Sequence, residues 1–486
     1  MVLMKNFKLF FFSVLVVSGL GLSACSTNPA TGKQQFTALM SPQQEIQVGA
    51  SEHQSVAQQF GFVENAGLNA YVNEVGHRVT SDTERSDVQY KFYVLDSPIV
   101  NAFALPGGYI YVSRGLLALA NSEAELASVL GHEAGHITGR HSAERYSRGV
   151  VTSLGAGILS AAIGSSGASQ ALGLGANLYM SSYSRSQESE ADTLGLRYMA
   201  HSGYDPQAVP SFLYSLNRES SLEAQLAGRS GTGASYFSTH PPTSERVNKT
   251  RGEAAQYPQK GTDNVMRHLK AIDGMVYGDS ESQGFVRGQS FYHPKLDFTF
   301  SAPEGFRLQN SPTQVVASAS NGAVLLFDMA KNPGGMSAAQ YIANVWLKDS
   351  GVQQVEPVNV NGQAGATAAF AGSVNGRPVT IRVVAIARGD TFARFQIAIP
   401  QGASAALVQA LRDSAYSFRS MSASEKNSVR PYHLRLYTAK AGDSVASLAR
   451  RQPFTQLQEE RFRILNGLDA NEGLVSGRVY KIITEN

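Results

Sequence analysis

Apolar residues recur at two different periods along this chain, and the change of period divides it. Leu126, Val129, Leu130 and Ile137 fall at helical spacing behind Ser122, with Glu125 three residues on as in a capping box and Gly139 as a stop, which predicts an amphipathic helix over 122–139. A second helical run carries Leu194, Leu196, Tyr198 and Met199 and ends at Gly203. Residues 90–95 and 99–112 are rich in aromatic and β-branched side chains broken by Pro106-Gly107-Gly108, the pattern of strands at the rim of a cleft. Beyond about residue 260 the period shortens. Residues 296–301, 314–318, 323–329, 379–387 and 392–399 read as strands and 338–347 and 403–414 as helices, giving an α+β domain over 285–420 with no evident catalytic cluster. Residues 150–180 are rich in Gly, Ala and Ser, and each apolar piece is shorter than the ~20 residues of a spanning helix; closely packed core helices are the expectation, with a mobile cover over a cleft or a membrane-touching hairpin as alternatives.

At the start, Lys5 and Lys8 precede an apolar run over 9–22, the layout of a secretory signal peptide spanning 1–24. Leu22-Ser23-Ala24-Cys25 resembles a bacterial lipobox, with lipid attachment expected at Cys25; a buried signal-anchor is the alternative. Cys25 is the only cysteine, so disulfides play no part. Residues 25–40, polar with Pro29 and Gly32, read as a tether, and Ser26 in place of an aspartate implies, by resemblance to enterobacterial lipoprotein sorting, the inner face of the outer membrane. Removing Lys5 and Lys8 with the signal takes the formal charge from +3 to +1 (3 − 2), which gives no reason to invoke nucleic acid. With 43% hydrophobic and 16% charged residues, 486 positions can build two or three cores.

The chemistry concentrates at His132-Glu133-Ala134-Gly135-His136. Two imidazoles one helical turn apart can bind one Zn2+, and the glutamate between them can polarise a water on the metal. A third ligand is required. His141 stands five residues after His136, whereas the metzincin pattern wants a histidine at six, where Ser142 lies, so His141 is not read as a ligand. Glu188 and Asp192 are again at i and i+4; Glu188 can complete a His-His-Glu set and Asp192 can accept a hydrogen bond from a ligand imidazole. Glu190 reads as part of a charged, solvated face.

His132-Glu-x-x-His136, Glu188-x-x-x-Asp192, the run Asn101 to Gly108 upstream and Thr239-His240-Pro241 through Arg246 downstream resemble, in that order, the zinc metallopeptidases related to HtpX and the CAAX prenyl proteases, of gluzincin type. The match covers about residues 41–260 and is nearest in kind to periplasmic lipoprotein members of the BepA type, although this chain lacks 34-residue helical repeats after the peptidase core. The resemblance implies a multidomain α+β protein: a mainly helical zincin-type core with a small edge-strand sheet, one Zn2+ held by His132, His136 and Glu188, and Glu133 as general base. It implies that Asn101, Ala102 and Phe103 bind substrate along an edge strand, with an ordinary turn role as the alternative for Asn101. It leaves His240 either as oxyanion donor or as a fourth ligand, and Arg246 either as an anchor for His240 or Glu188 or as a surface residue. Residues 432–486, with Ala441-Gly442-Asp443-Ser444-Val445 and Ile464-Leu465-Asn466-Gly467, resemble a LysM module, a βααβ fold that binds peptidoglycan glycan; the 285–420 domain resembles a PsbP-like sheet. The expected function is peptide-bond hydrolysis in quality control of unfolded or misassembled envelope proteins. The alternative is a non-enzymatic assembly factor that holds client strands.

Overall fold

Serine caps set the helix starts that matter here. Ser41, Ser122 and Ser184 each accept a hydrogen bond from the backbone amide three residues on, and in each case the side chain satisfies a donor that the helix leaves open. The structure is a computed structural model that describes residues 25–150, 182–226, 236–240, 244–257 and, apart from 351, 353 and 375, residues 260–485. The signal segment 1–24, the Gly/Ala/Ser-rich stretch beyond residue 150 and Pro241-Pro242 lie outside the described residues. The chain divides into two compact units, one within Met1–Met275 and Leu434–Ile482, the other Val276–His433 with Ile483–Asn486.

The first unit opens with a hairpin, β1 (Cys25–Thr27) and β2 (Gln34–Phe36), paired Cys25↔Phe36 through Thr27↔Gln34. The expected tether is thus a folded piece: Asn28, Gln35 and Thr37 are buried polar residues that bond to the body of the unit. Helices α1 (Pro42–Phe60) and α2 (Ala66–Thr80) follow, then a three-stranded sheet of β3 (Lys91–Leu95), β4 (Ala102–Leu105) and β5 (Tyr109–Ser113) in the order β3-β5-β4. Strand β3 runs parallel to β5 and β4 antiparallel to it, so β4 forms an edge. Pro106-Gly107-Gly108 makes the turn, with both glycines at positive φ and an added Cβ at Gly108 only 2.3 Å from Gln89 O. Helix α3 (Arg114–Leu119) leads to α4 (Glu123–Thr138), and α5 (Arg185–His201), α6 (Ala208–Leu226), α7 (Tyr236–Thr239), α8 (Ser244–Ala254) and α9 (Val265–Ile272) complete the row.

Helix α4 departs from the amphipathic expectation: every residue from Glu123 to Thr138 is buried. The two acidic residues of its first turn face partners instead of water. Glu123 accepts from Tyr204, Asn264 and Arg267, and Glu125 from the Asn121 amide at 2.7 Å and Ser211 at 2.8 Å. Glu125 therefore serves the amide before the cap and not the cap itself, so Ser122 caps without a full capping box.

The C-terminal residues of this unit follow the order strand, helix, helix, strand, with helices Val445–Ala449 and Gln458–Leu465. Lys481 is fully buried and its Nζ donates to the carbonyls of Ala118 at 2.6 Å and Ala120 at 2.7 Å, the open end of α3. Burial pulls its amine down to about 7.

The second unit holds a seven-stranded antiparallel sheet in the spatial order Arg307–Asn310, Gln314–Ser318, Val324–Lys331, Thr391–Pro400, Arg377–Arg388, Gln363–Val374, Glu356–Val360. Phe291, Phe298, Phe300, Phe327, Phe395 and Phe418 form its core. The strands expected here are present. Gln363–Val374 was missed because Ala and Gly dominate it, leaving little β-branched signal. The expected helix at 338–347 is a short turn, Ala338–Tyr341, passing into a π turn at Ile342–Trp346. No described helix is long and apolar enough to cross a membrane.

Candidate metal centre

Two helices must approach closely for the histidine pair to meet a carboxylate, and small residues permit it. A Cβ at Gly131 would stand 2.9 Å from Gly195 O, one at Gly135 2.9 Å from Ala191 O, and one at Gly195 2.6 Å from His132 N. The helix α4 backbone therefore lies directly against that of α5. The Ser184/Gln187 capping box starts α5 so that Glu188 falls in its first turn, where the helix dipole favours a negative charge.

Among the described residues, His132, His136, Glu188 and His240 gather donor atoms that all lie within 4.8 Å of one another. His132 Nε2 is 3.0 Å from His136 Nε2 and 3.2 Å from His240 Nδ1, His136 Nε2 is 3.4 Å from Glu188 Oε1, and His240 Nδ1 is 2.9 Å from that oxygen. All four are buried. Behind them, His132 Nδ1 lies 3.0 Å from Asp192 Oδ1, and Arg246 holds both Asp192 oxygens at 2.8 Å and Glu188 Oε2 at 2.7 Å. Arg246 thus anchors Glu188, and its Nη1 also reaches the His240 carbonyl at 3.4 Å. Tyr183 stacks on His136 with centroids 3.7 Å apart, and Tyr236 stacks on His240 at 4.4 Å.

The donor set fits a zinc ion. With its Nδ1 proton given to Asp192, His132 presents an Nε2 lone pair toward the Nε2 of His136, an arrangement in which a cation relieves the crowding of lone pairs. Glu133 has both oxygens buried without a hydrogen-bond partner, as does Nε2 of His240, which stands 3.4 Å from Glu133 Oε1. A buried carboxylate left in this way is costly unless its site is completed by something else.

Charge states follow from burial and neighbours. Burial pushes the Glu133 carboxyl up, against the pull of His240 and His132. Burial drives His136 well below the usual imidazole range, so it is neutral, the form that ligates. Burial would raise Glu188, but His240 and His136 hold it well below the usual carboxylate range. Burial likewise opposes ionisation of Asp192, and Arg246 outweighs it, leaving Asp192 lowered. His132 loses by burial and gains more from Asp192, so its net shift is upward.

The structure brings Glu133, His132, His136, Glu188, Asp192, His240 and Arg246 together. Asn101 precedes the edge strand β4, with its amide on Ser113 Oγ at 3.0 Å and its Oδ1 buried without a partner. Ala102 and Phe103 are buried, and the Phe103 ring lies in the core 4.8 Å from Tyr111, so its side chain does not line a cleft. Glu190 is not on a solvated face: its side chain is 10% exposed and accepts from Asn28, Thr31 and Lys33. Sequence reasoning missed Tyr183, Tyr236 and the role of His141, whose Nδ1 lies 2.8 Å from His136 Nδ1. The spacing Gly131-x-x-x-Gly135 against Ala191-x-x-x-Gly195 was a readable signal for the helix crossing.

A buried His-Glu-x-x-His helix crossed by a helix bearing a carboxylate is the site of a metallopeptidase-class protein. Residues 66–254 match the model of Peptidase family M48. The chain is 30% identical over 258 residues to the "Beta-barrel assembly-enhancing protease" of Yersinia pestis, covering 50% of this chain and 51% of that one. It is 33% identical over 179 residues to the "Mitochondrial metalloendopeptidase OMA1" of Schizosaccharomyces pombe, covering 37% of this chain and 51% of that one. The chain thus spans about half the length of these relatives. A solved structure of PsbP from Synechocystis sp. PCC 6803 aligns with 30% of this chain and 98% of its own at 14% identity and a TM-score of 0.22, too low to define a shared fold.

Proposed function

We propose that this chain is a zinc endopeptidase of the bacterial envelope that hydrolyses peptide bonds in unfolded or misassembled outer-membrane proteins. The observation that carries the reading is the convergence of His132, His136 and Glu188 with Glu133 buried beside them. Zinc held by those three ligands would polarise the scissile carbonyl and make water a nucleophile near neutral pH. Glu133 takes the proton of the attacking water, and its burial-raised carboxyl then delivers it to the leaving amine. Asp192 and Arg246 fix the orientation of His132 and Glu188. Extended substrate pairs with the edge of β4, beside the Asn101 side chain, whose Oδ1 has no hydrogen-bond partner. His240 stands among the donors, which favours reading it as a fourth ligand that must withdraw before substrate binds.

The name of the Yersinia pestis relative, a protease that enhances β-barrel assembly, supports β-barrel proteins as the substrate class. Lipid attachment at Cys25 would hold the protein at the inner face of the outer membrane, and the C-terminal LysM-like segment would add peptidoglycan contact. The same edge strand supports a second reading, an assembly factor that holds client strands without cutting them. Incubating the full chain, stripped by chelator and then restored with zinc, with an unfolded β-barrel protein separates the two. The peptidase reading expects cleavage only after restoration; binding without cleavage in both states supports the holding role.

A further inference from the structure

A line of polar groups runs from the back of the metal centre to the N-terminal hairpin. His136 Nδ1 lies 2.8 Å from His141 Nδ1, so one of them donates. With His136 Nε2 turned toward the other ligands, the proton belongs on His136 Nδ1, and the proton of His141 then sits on its Nε2. That Nε2 is buried, has no hydrogen-bond partner and faces Glu190 Oε1 at 3.9 Å. Glu190 in turn accepts from Asn28 Nδ2 at 2.9 Å, Thr31 Oγ1 at 3.2 Å and Lys33 Nζ at 2.9 Å, all in the turn between β1 and β2.

The hairpin and the residues that follow it hold the turn that leads into His141. Gln35 Nε2 donates to Gly139 O at 2.6 Å. Arg140, in the left-handed conformation at φ 52°, donates to Met40 O at 2.7 Å and to Thr37 Oγ1 at 3.2 Å. Gly139 is required for the His141 ring to fold back here, because a Cβ at 139 would stand 2.4 Å from His141 Nε2.

We propose that the hairpin at residues 25–36 is a positioning element of the metal centre: through Glu190 and His141 it fixes the His136 ring, so docking of the hairpin sets the affinity for metal. His141 and Glu190 are then positioning residues, and neither is a ligand. A ligating imidazole whose second nitrogen is held by a partner loses rotational freedom, and loss of such a partner costs about 10–100-fold in metal affinity. The inference rests on the metal-centre reading above.

The test uses the full chain, with the zinc dissociation constant measured by competition with a chromogenic chelator and the visible spectrum of the Co2+ form as a second readout. Glu190→Ala and the pair Asn28→Ala, Lys33→Ala should each weaken zinc about tenfold, alter the Co2+ spectrum, and show no further loss when combined, as members of one chain of contacts do. Lys33 is largely exposed, so Lys33→Ala alone preserves folding and should still weaken zinc about threefold. Unchanged zinc affinity in the hairpin variants, or losses that simply add to that of Glu190→Ala, overturns the proposal. Failure of the wild type to bind zinc at all would instead sink the metal-centre reading.

Discussion

Gly195→Ala puts two opposed effects in direct competition. The substitution replaces the poorest ordinary helix former in the interior of α5, which by itself stabilises a helix by about 1 kcal/mol. Against this, the new Cβ would stand 2.6 Å from His132 N, 2.8 Å from Gly131 C and 2.9 Å from His132 Cα. Ordinary contact begins near 3.4 Å, so the crossing must open by about 0.8 Å at its tightest point (3.4 − 2.6). The atoms met are backbone and cannot rotate away, which places the cost toward the top of the ~1–3 kcal/mol range for overpacking. The net expectation is a loss of about 1–2 kcal/mol in the metal-free protein. The effect on metal is larger in proportion. The same opening moves His132 and His136 away from Glu188 by several times the ~0.2 Å tolerance of metal–ligand distances, so zinc affinity should fall at least tenfold. Denaturant unfolding of the metal-free chain and chelator competition measure the two effects separately. A variant that is more stable by about 1 kcal/mol and binds zinc as the wild type does would refute the close-crossing argument.

Asp192→Asn removes the negative charge that pairs with the buried Arg246 and polarises His132, and puts an amide donor where one carboxylate oxygen accepted; unfolding free energy should drop by about 3–5 kcal/mol and zinc affinity by about 10–100-fold, read by the same two assays. His240→Ala should retain one zinc by metal analysis and raise cleavage, including self-cleavage; a loss of about two to three orders of magnitude in turnover would identify His240 instead as the oxyanion donor. Burial holds His268 down to about 3, with Tyr71 and the Leu117 and Ala120 carbonyls as its partners. The unfolded chain therefore binds the extra proton first, so His268 contributes full stability above pH ~6.5 and that contribution is lost toward pH ~3 at up to roughly 1.4 kcal/mol per pH unit; the acid limb of a pH–stability curve should be shallower in His268→Gln.

Much of this site was readable because its signals are local. His132 and His136, like Glu188 and Asp192, sit one turn apart on helices whose serine caps are in the sequence, and Gly139 ends the first where the structure ends it. What escaped was set by tertiary partners. Glu125, read as the return half of a capping box, instead bonds the Asn121 amide and Ser211, and Glu123, which carries no motif, is buried against groups up to 144 residues away. Glu190 looked solvated for the same reason: its three donors come from a polar stretch whose composition suggests a tether and whose hairpin depends on the body it packs against. Tyr183 and Tyr236 carry no motif at all, and only the fold lays them on His136 and His240.

The central claim is that Glu133 performs proton transfer beside a zinc held by His132, His136 and Glu188. The most direct measurement is cleavage of an unfolded β-barrel protein by the wild type and by Glu133→Gln, with zinc content determined on the same samples. Glu133 is not among the ligands, so the variant should keep one zinc per chain while cleavage falls by about 10²–10⁴-fold. Equal cleavage by the two proteins at equal zinc content would contradict the account.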